Sequence, residues 1–465
     1  MKKVIILIGI SLFFLISKTF ACFSIIVGKN ASKTGKVIVA HNEDDSPMKN
    51  LNIFYAGNID KPTEITLYSN EKIFLKPPIY KILWFNLEGF LFSDSYINEN
   101  GVVVFSDACN SIFKSEKAKE KGITYYLRRL IALKAKNARE GVKIAAKYLD
   151  KFGYSSSGRT YIIADENEGW MLAVAAGKYW VAARVPDDAV ATIPNFYTIR
   201  EVNISDTSNY YISDAVLQYV KSKKLIKNGS FDFATIFADK NSLNHPGNIY
   251  RQWGAFYLLS DLKLKPNDRF PFCFKPEQKV SIEDLKKVLR YHYEDTKYDL
   301  SENYKISPNK TKIRTICTEA TVYSLIVEPN KNNTLIWFSP ISPDLSPYIP
   351  IFWGIDKIDA AFYSKHFDDE TKTIKFQFDS TNTKKSYNIF NEFNKFRNLA
   401  NDNYFKVYKD ITKFIENNEK ENMLLIKNVN TPYLKRQLFE ANIFEYFSFI
   451  TNLMNSNMIK NGRSK

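Results

Sequence analysis

The chain has 465 residues, of which 45% are hydrophobic and 15% aromatic, and it carries a formal net charge of +15. This composition favours a packed globular protein rich in strand-forming aromatic residues. The positive charge is dispersed lysine rather than a tight Lys/Arg block interleaved with aromatics, which argues against a nucleic-acid partner.

The first 21 residues have the layout of a secretory signal peptide. Two lysines precede a largely apolar run over residues 4–16, and small Ala21 stands at the position before a cut. We therefore expect an exported protein, periplasmic or secreted, whose mature chain begins at Cys22 and has a charge of +12 once the three lysines of the signal are lost. Beyond this segment no apolar run approaches the roughly 20 residues that span a bilayer, so no transmembrane anchor is expected in the mature form.

A cysteine at the start of a mature chain carries a thiol and a free α-amine on one residue. An α-amine with a pKa of about 8 is partly unprotonated at neutral pH and can take the thiol proton. Cys22 is therefore a candidate nucleophile that supplies its own base. Two alternatives remain open: an apolar residue that opens a strand, and a lipidated cysteine, although Thr19 and Phe20 make a poor lipidation motif.

Residues 23–27 read as a strand, 29–35 as its turn and 36–41 as the returning strand. This hairpin ends in the polar run 41–45, His-Asn-Glu-Asp-Asp, which the pairing returns to the level of Cys22. Taken alone, such a run is typical of a solvated loop. When the same run lies opposite a candidate nucleophile, it predicts an active site.

The rest of the chain alternates between strand and helix patterns. Strands are predicted at 52–55, 65–68, 102–105, 160–165, 169–175, 178–184, 314–328 and 334–338, and helices within 123–152, at 211–221, at 282–293 and from about 387 to the end. This order favours an α+β architecture of two packed sheets sheathed by helices. We divide the chain into a signal peptide (1–21), a catalytic domain (22–386) and a helical C-terminal extension (387–465).

The four cysteines, Cys22, Cys109, Cys273 and Cys317, are too few and too scattered for a disulfide framework or a zinc site. At most one bridge among the last three is possible, and its pairing stays open. We expect no cofactor and no metal.

At this point the sequence resembles the secreted dipeptidases related to dipeptidase A, which are cysteine-type N-terminal nucleophile hydrolases. The resemblance covers roughly residues 22–355. Its strongest parts are 22–28 with Ala31 and Gly35, then 41–44, and the stretch 164–195. It implies a four-layer αββα sandwich of two antiparallel sheets and the hydrolysis of small peptides through a thioester acyl-enzyme.

The resemblance also implies a set of site residues. Asp44 matches an aspartate that orients the α-amine in the related penicillin V acylases and bile salt hydrolases, whereas His41 stands where that wider group has arginine. Asn195 falls where those relatives place an oxyanion-stabilising asparagine, with a backbone N–H near residues 107–110 as second donor. The implied set is catalytic Cys22, Asp44, Asn195 and Arg314 together with substrate-binding His41, Asn42 and Asn110.

Two other functions remain open. One is an acylase that cleaves non-peptide amides such as penicillin V or bile salts. The other is a binding lipoprotein anchored through Cys22. The sequence is compatible with either a monomer or an oligomer.

Overall fold

The computed structural model describes residues 22–46, 49–56, 62–67, 69–88, 92–113, 122–355 and 388–456. The predicted signal peptide, 1–21, lies outside these residues. The strands are β1 (Phe23–Val27), β2 (Ile38–Asp44), β3 (Leu51–Ala56), β4 (Thr63–Thr66), β5 (Lys72–Leu75), β6 (Ile82–Leu87), β7 (Ser95–Asn98), β8 (Val103–Ala108), β9 (Tyr154–Ala164), β10 (Gly169–Gly177), β11 (Trp180–Val185), β12 (Val190–Ile193), β13 (Glu201–Asn203), β14 (Tyr210–Ile212), β15 (Ser230–Asp232), β16 (Cys273–Phe274), β17 (Thr321–Glu328), β18 (Leu335–Ser339) and β19 (Ile349–Phe352).

The helices interrupt and follow the strands. They are α1 (Tyr126–Lys134), α2 (Ala138–Phe152), α3 (Asp214–Ser222), α4 (Phe233–Phe237), α5 (Lys240–Asn244), α6 (Pro246–Leu259), α7 (Ile282–Arg290), α8 (Phe390–Asp402), α9 (Tyr404–Leu425) and α10 (Pro432–Asn455).

Two large sheets form the centre of the described structure. The first has the order β16-β12-β1-β2-β17-β18-β19 and the second the order β14-β11-β10-β9-β8-β7-β6-β3. The neighbours within both sheets run antiparallel. The central position of β1 and β2 buries both faces of the hairpin, so the polar run at its end lies in the core and is not a solvated loop.

The layers follow from which apolar side chains share a core. Ile26 and Val39 of the first sheet pack with Phe105 and Ile162 of the second, which places one core between the sheets. The outer face of the first sheet packs against α6 and α7, and the outer face of the second packs against α1 and α2. The order of layers is therefore α-β-β-α, which confirms the predicted fold class.

Local sequence signals set several helix ends. Ser281 and Asp284 form a reciprocal capping box at the start of α7, and Asn137 caps α2 by accepting from the Glu140 amide. The two helices predicted within 123–152 are α1 and α2. The helix predicted at 211–221 begins three residues later, because Tyr210–Ile212 pairs with β11 instead.

The region predicted as a helical extension contains α8, α9 and α10. Buried side chains such as Phe393 of α8 and Tyr446 of α10 belong to the same core as the space between the sheets. Its described part therefore packs directly on the sandwich, while the domain boundary at 387 stays a prediction. No helix in the described part of the chain combines the length and the apolar character that crossing a bilayer requires.

A buried ion network ties α9 to α7. Glu419 binds Lys286 at 3.2 Å and Arg290 at 2.5 Å, and one of its oxygens accepts from the Tyr348 amide at 2.7 Å. Burial raises the pKa of Glu419, but Arg290 and Lys286 outweigh burial and hold it below its ordinary value. The stabilisation that the Glu419 carboxylate contributes is therefore fully present above the pKa that this group has in the unfolded chain. It is lost as the pH falls through the lower pKa that the group has in the folded protein.

We expect Glu419→Ala to lower the free energy of unfolding by about 3–5 kcal/mol, since Lys286 would lose its buried partner. Urea unfolding measures this change. Glu416, exposed on the same helix, gives the matched control, and Glu416→Ala should change stability by less than about 0.5 kcal/mol. Equal small effects for the two variants would contradict a structural role for the network.

Candidate active site

The β1–β2 hairpin places Cys22 opposite Glu43. Phe23 pairs with Asn42 and Ser24 with His41, so continuing the register by one residue brings Cys22 to Glu43. The Cys22 thiol donates to Glu43 Oε1 at 3.4 Å. With only 7% of its surface exposed, Cys22 lies at the edge of the core between the sheets.

A chain of polar side chains continues from Glu43 towards the second sheet. Glu43 Oε2 lies 2.9 Å from His41 Nε2, and His41 Nδ1 lies 2.7 Å from Ser24 Oγ. The Ser24 hydroxyl donates to Asp107 Oδ2 at 2.6 Å. The imidazole is fully buried and stacks on Phe105 with ring centroids 5.1 Å apart. His41 is therefore enclosed in the core between the two sheets. This position does not fit its predicted substrate-binding role.

Burial sets the protonation of this chain. It raises the pKa of the Glu43 carboxyl well above its ordinary value and lowers the pKa of His41. His41 is therefore a neutral imidazole at pH 7, and burial favours the protonated form of the Glu43 carboxyl beside it. Burial also raises the pKa of the Cys22 thiol, and it raises that of Asp107 to about 7. The nucleophile rests as a thiol and needs a base during the reaction.

Asp44 points to the opposite face of β2 and meets Arg314. Arg314 Nη2 donates to Asp44 Oδ2 at 2.6 Å, and Thr321 Oγ1 donates to Asp44 Oδ1 at 2.6 Å. The structure thus brings two of the predicted site residues into one ion pair. Arg314 precedes β17 by several residues, so it lies in a loop and not on the predicted strand 314–328.

Asn195 follows β12 beside the start of β1. Ser24 pairs with Ile193 in antiparallel register. Because Cys22 lies two residues before Ser24 and Asn195 lies two residues after Ile193, the two residues are opposite each other. The backbone of Asn195 has a φ of 71°, a conformation that asparagine tolerates better than most residues. Its Nδ2 donates to Ala108 O at 3.0 Å, which leaves one further amide hydrogen.

Arg251 of α6 joins these two residues and was missed in the sequence. Its Nη1 donates to Cys22 O at 2.7 Å and its Nη2 to Asn195 Oδ1 at 2.7 Å. Burial and then Arg314 lower the pKa of Arg251 to about 10, so the group stays cationic at neutral pH. It therefore supplies the positive charge that a neutral His41 does not. Its sequence signal is weak: one arginine on the apolar, buried side of a helix.

Two other predicted residues lie away from the thiol. Asn42 is fully buried, and its Nδ2 donates to Leu289 O at 2.9 Å and to Ile316 O at 3.0 Å. Both amide hydrogens of Asn42 are therefore donated to backbone carbonyls inside the core. This does not fit its predicted substrate-binding role. Asn110 is exposed after β8, where its Oδ1 accepts from Ser157 Oγ at 2.7 Å, and its role stays a prediction.

All four cysteines are free thiols, so none of the possible bridges is formed. Within the described residues, two groups of side chains could supply three metal ligands each. One is Cys22 with His41 and Glu43, and the other is His292 with Cys317 and Asp344.

Comparison with known proteins identifies the family. Residues 118–417 match the model of peptidase family C69, a segment that begins after Cys22 and includes Asn195, Arg251 and Arg314. A probable dipeptidase of Latilactobacillus sakei is 28% identical over 74% of this chain and 76% of its own length. A probable dipeptidase A of Streptococcus pyogenes serotype M1 is 26% identical over 75% and 79%, respectively.

Among solved structures, penicillin V acylase from Agrobacterium tumefaciens is 12% identical, with a TM-score of 0.36 over 71% of this chain and 86% of that chain. The family match spans more than half of the chain and confirms the resemblance seen in the sequence. The chain therefore belongs to peptidase family C69 and is a hydrolase.

Proposed function

We propose that the protein is an exported dipeptidase whose mature chain begins at Cys22 and whose thiol forms a thioester with the first residue of the substrate. The observation that carries this proposal is the placement of Cys22 at the start of a central strand, opposite Asn195 and bound through its carbonyl to Arg251. The dipeptidase names of the relatives support the substrate class.

In the proposed reaction the α-amine of Cys22 takes the thiol proton, and Sγ attacks the carbonyl carbon of the dipeptide. The tetrahedral intermediate collapses when the amine returns that proton to the leaving nitrogen, which releases the second amino acid. Water then attacks the thioester carbonyl, the amine acting again as base. This step releases the first amino acid and restores the thiol.

The surrounding residues act on charge and position. The second amide hydrogen of Asn195 donates to the oxyanion, and a backbone N–H near residues 107–110 is the second proposed donor. The buried Arg251 guanidinium stabilises negative charge on the substrate. The Asp44–Arg314 pair orients the amine, and Glu43 holds the thiol in place through its 3.4 Å hydrogen bond.

A panel of dipeptides, compared with N-acylated amides such as penicillin V, tests the substrate class. We expect the purified protein to hydrolyse dipeptides and Cys22→Ser to lose at least about 10³-fold in kcat/KM. Cys273→Ser provides the matched control, because Cys273 is half-buried on β16 at the sheet edge and should be replaceable without loss.

Preferential cleavage of the acylated amides would replace the dipeptidase proposal with an acylase. The mass of the mature N-terminus separates the remaining alternative, because a diacylglyceryl group on Cys22 adds hundreds of daltons to a free cysteine. A lipidated N-terminus would contradict the proposed use of the amine as base.

A further inference from the structure

The side chains around the Cys22 thiol offer three different metal-ligand atoms at one point. Cys22 Sγ, His41 Nε2 and a carboxylate oxygen of Glu43 all lie within 4.8 Å of one another. Sγ is 3.4 Å from Glu43 Oε1, and Nε2 is 2.9 Å from Oε2. Zinc bonds of about 2.0–2.3 Å in tetrahedral geometry separate neighbouring ligand atoms by about 3.5 Å, so small side-chain adjustments admit an ion.

The hydrogen bonds behind His41 orient its ring for such a role. The Ser24 hydroxyl gives its hydrogen to Asp107, so Ser24 Oγ accepts from His41 Nδ1–H. This arrangement leaves the lone pair of the neutral ring on Nε2, directed at Glu43 and Cys22. A second-sphere acceptor that holds the other ring nitrogen is typical of metal-binding histidines.

The second group of possible ligands lacks this feature. His292 Nδ1 lies 3.0 Å from Glu294 Oε1 and Nε2 lies 3.0 Å from Asn309 Oδ1. The Asn309 amide nitrogen donates to Asp344 and Asn401, which fixes its oxygen towards the ring. Both nitrogens of His292 therefore face acceptors, and neither presents a lone pair to an ion.

We propose that Cys22, His41 and Glu43 bind one divalent ion of the zinc class, with the Cys22 sulfur as a ligand. Sulfur, imidazole nitrogen and carboxylate oxygen together match zinc better than the oxygen-seeking Mg²⁺ or Ca²⁺. Binding replaces two protons, the thiol proton of Cys22 and the carboxyl proton that Glu43 shares with His41 Nε2, and both are released to solvent. The Cys22 sulfur donates its lone pair to the ion, so it can no longer attack the carbonyl carbon of a substrate. Only this last consequence rests on the proposed function.

Cobalt(II) tests the site without any substrate. We expect one equivalent of Co²⁺ added to chelator-treated protein to produce a thiolate-to-cobalt charge-transfer band that Zn²⁺ displaces. The band should be lost in Cys22→Ser, and Co²⁺ should bind at least about tenfold more weakly to His41→Arg and Glu43→Gln. Cys317→Ser is the matched control and should keep the full band.

Wild-type protein alkylated at Cys22, with the site of labelling confirmed by mass, gives the same test without a mutation and should show no band. No band in the wild type, or a band that persists in Cys22→Ser and disappears in Cys317→Ser, would overturn the proposal. Zn²⁺ should also slow the alkylation of Cys22 by iodoacetamide. A protein that shows the band but cleaves no dipeptide refutes only the proposed function, and one that cleaves dipeptides without a band refutes only the metal site.

Discussion

A form of the protein that retains one residue before Cys22 is expected to hydrolyse dipeptides at least about 10²–10⁴-fold more slowly than the form that begins at Cys22. The added peptide bond turns the α-amine into an amide nitrogen whose lone pair is delocalised and cannot accept the thiol proton. Because burial raises the pKa of the Cys22 thiol, the nucleophile is a thiol at neutral pH and cannot attack without a base. Steady-state kinetics on homogeneous Met-Cys22 protein, verified by mass, measure the loss.

The matched control is the same preparation after the extra residue has been removed enzymatically, which should recover full turnover. This comparison leaves every other residue unchanged, so it separates the base from the fold. Full turnover by the unprocessed form would show that the amine is not the base. Glu43 accepts the thiol hydrogen bond, so Glu43→Gln would then test whether the ionised form of this carboxyl takes the thiol proton instead.

Replacing Asn195 by Ala is expected to lower the rate of acylation by about 10²–10³-fold while ground-state substrate affinity changes little. The oxygen that Asn195 is proposed to stabilise becomes fully negative only in the tetrahedral intermediate. Single-turnover kinetics separate acylation from binding. Alkylation of Cys22 by iodoacetamide needs no oxyanion donor, so its rate should stay near that of the wild type.

Asn195→Asp sharpens this test, because Asn195 Oδ1 also accepts from Arg251. Aspartate keeps that acceptor and removes the amide donor. If donation to the oxyanion is the role of Asn195, both variants lose acylation. If Asn195→Asp retains the wild-type rate while Asn195→Ala loses it, Asn195 serves to position Arg251, and the oxyanion donors lie elsewhere.

Local sequence patterns were sufficient for the hairpin and its consequence for the site. The connection over residues 28–37 is short enough to pair the two strands as one hairpin, so the proximity of Cys22 to residues 41–44 is predictable from the sequence. Helices with clear amphipathic patterns, such as α2, were also predictable. Strands such as β6 were missed because burial on both faces leaves a continuous apolar run without alternation.

Tertiary structure decided which of the clustered polar residues face the nucleophile. Alternation along β2 turns His41 and Glu43 towards the second sheet, and Asn42 and Asp44 towards the helices, but the sequence does not say which side contains Cys22's partners. The contact between Arg251 and Cys22 joins residues more than two hundred positions apart. A single buried arginine on a helix has no periodic signal, and only the packing of α6 on the first sheet brings it to the Cys22 carbonyl.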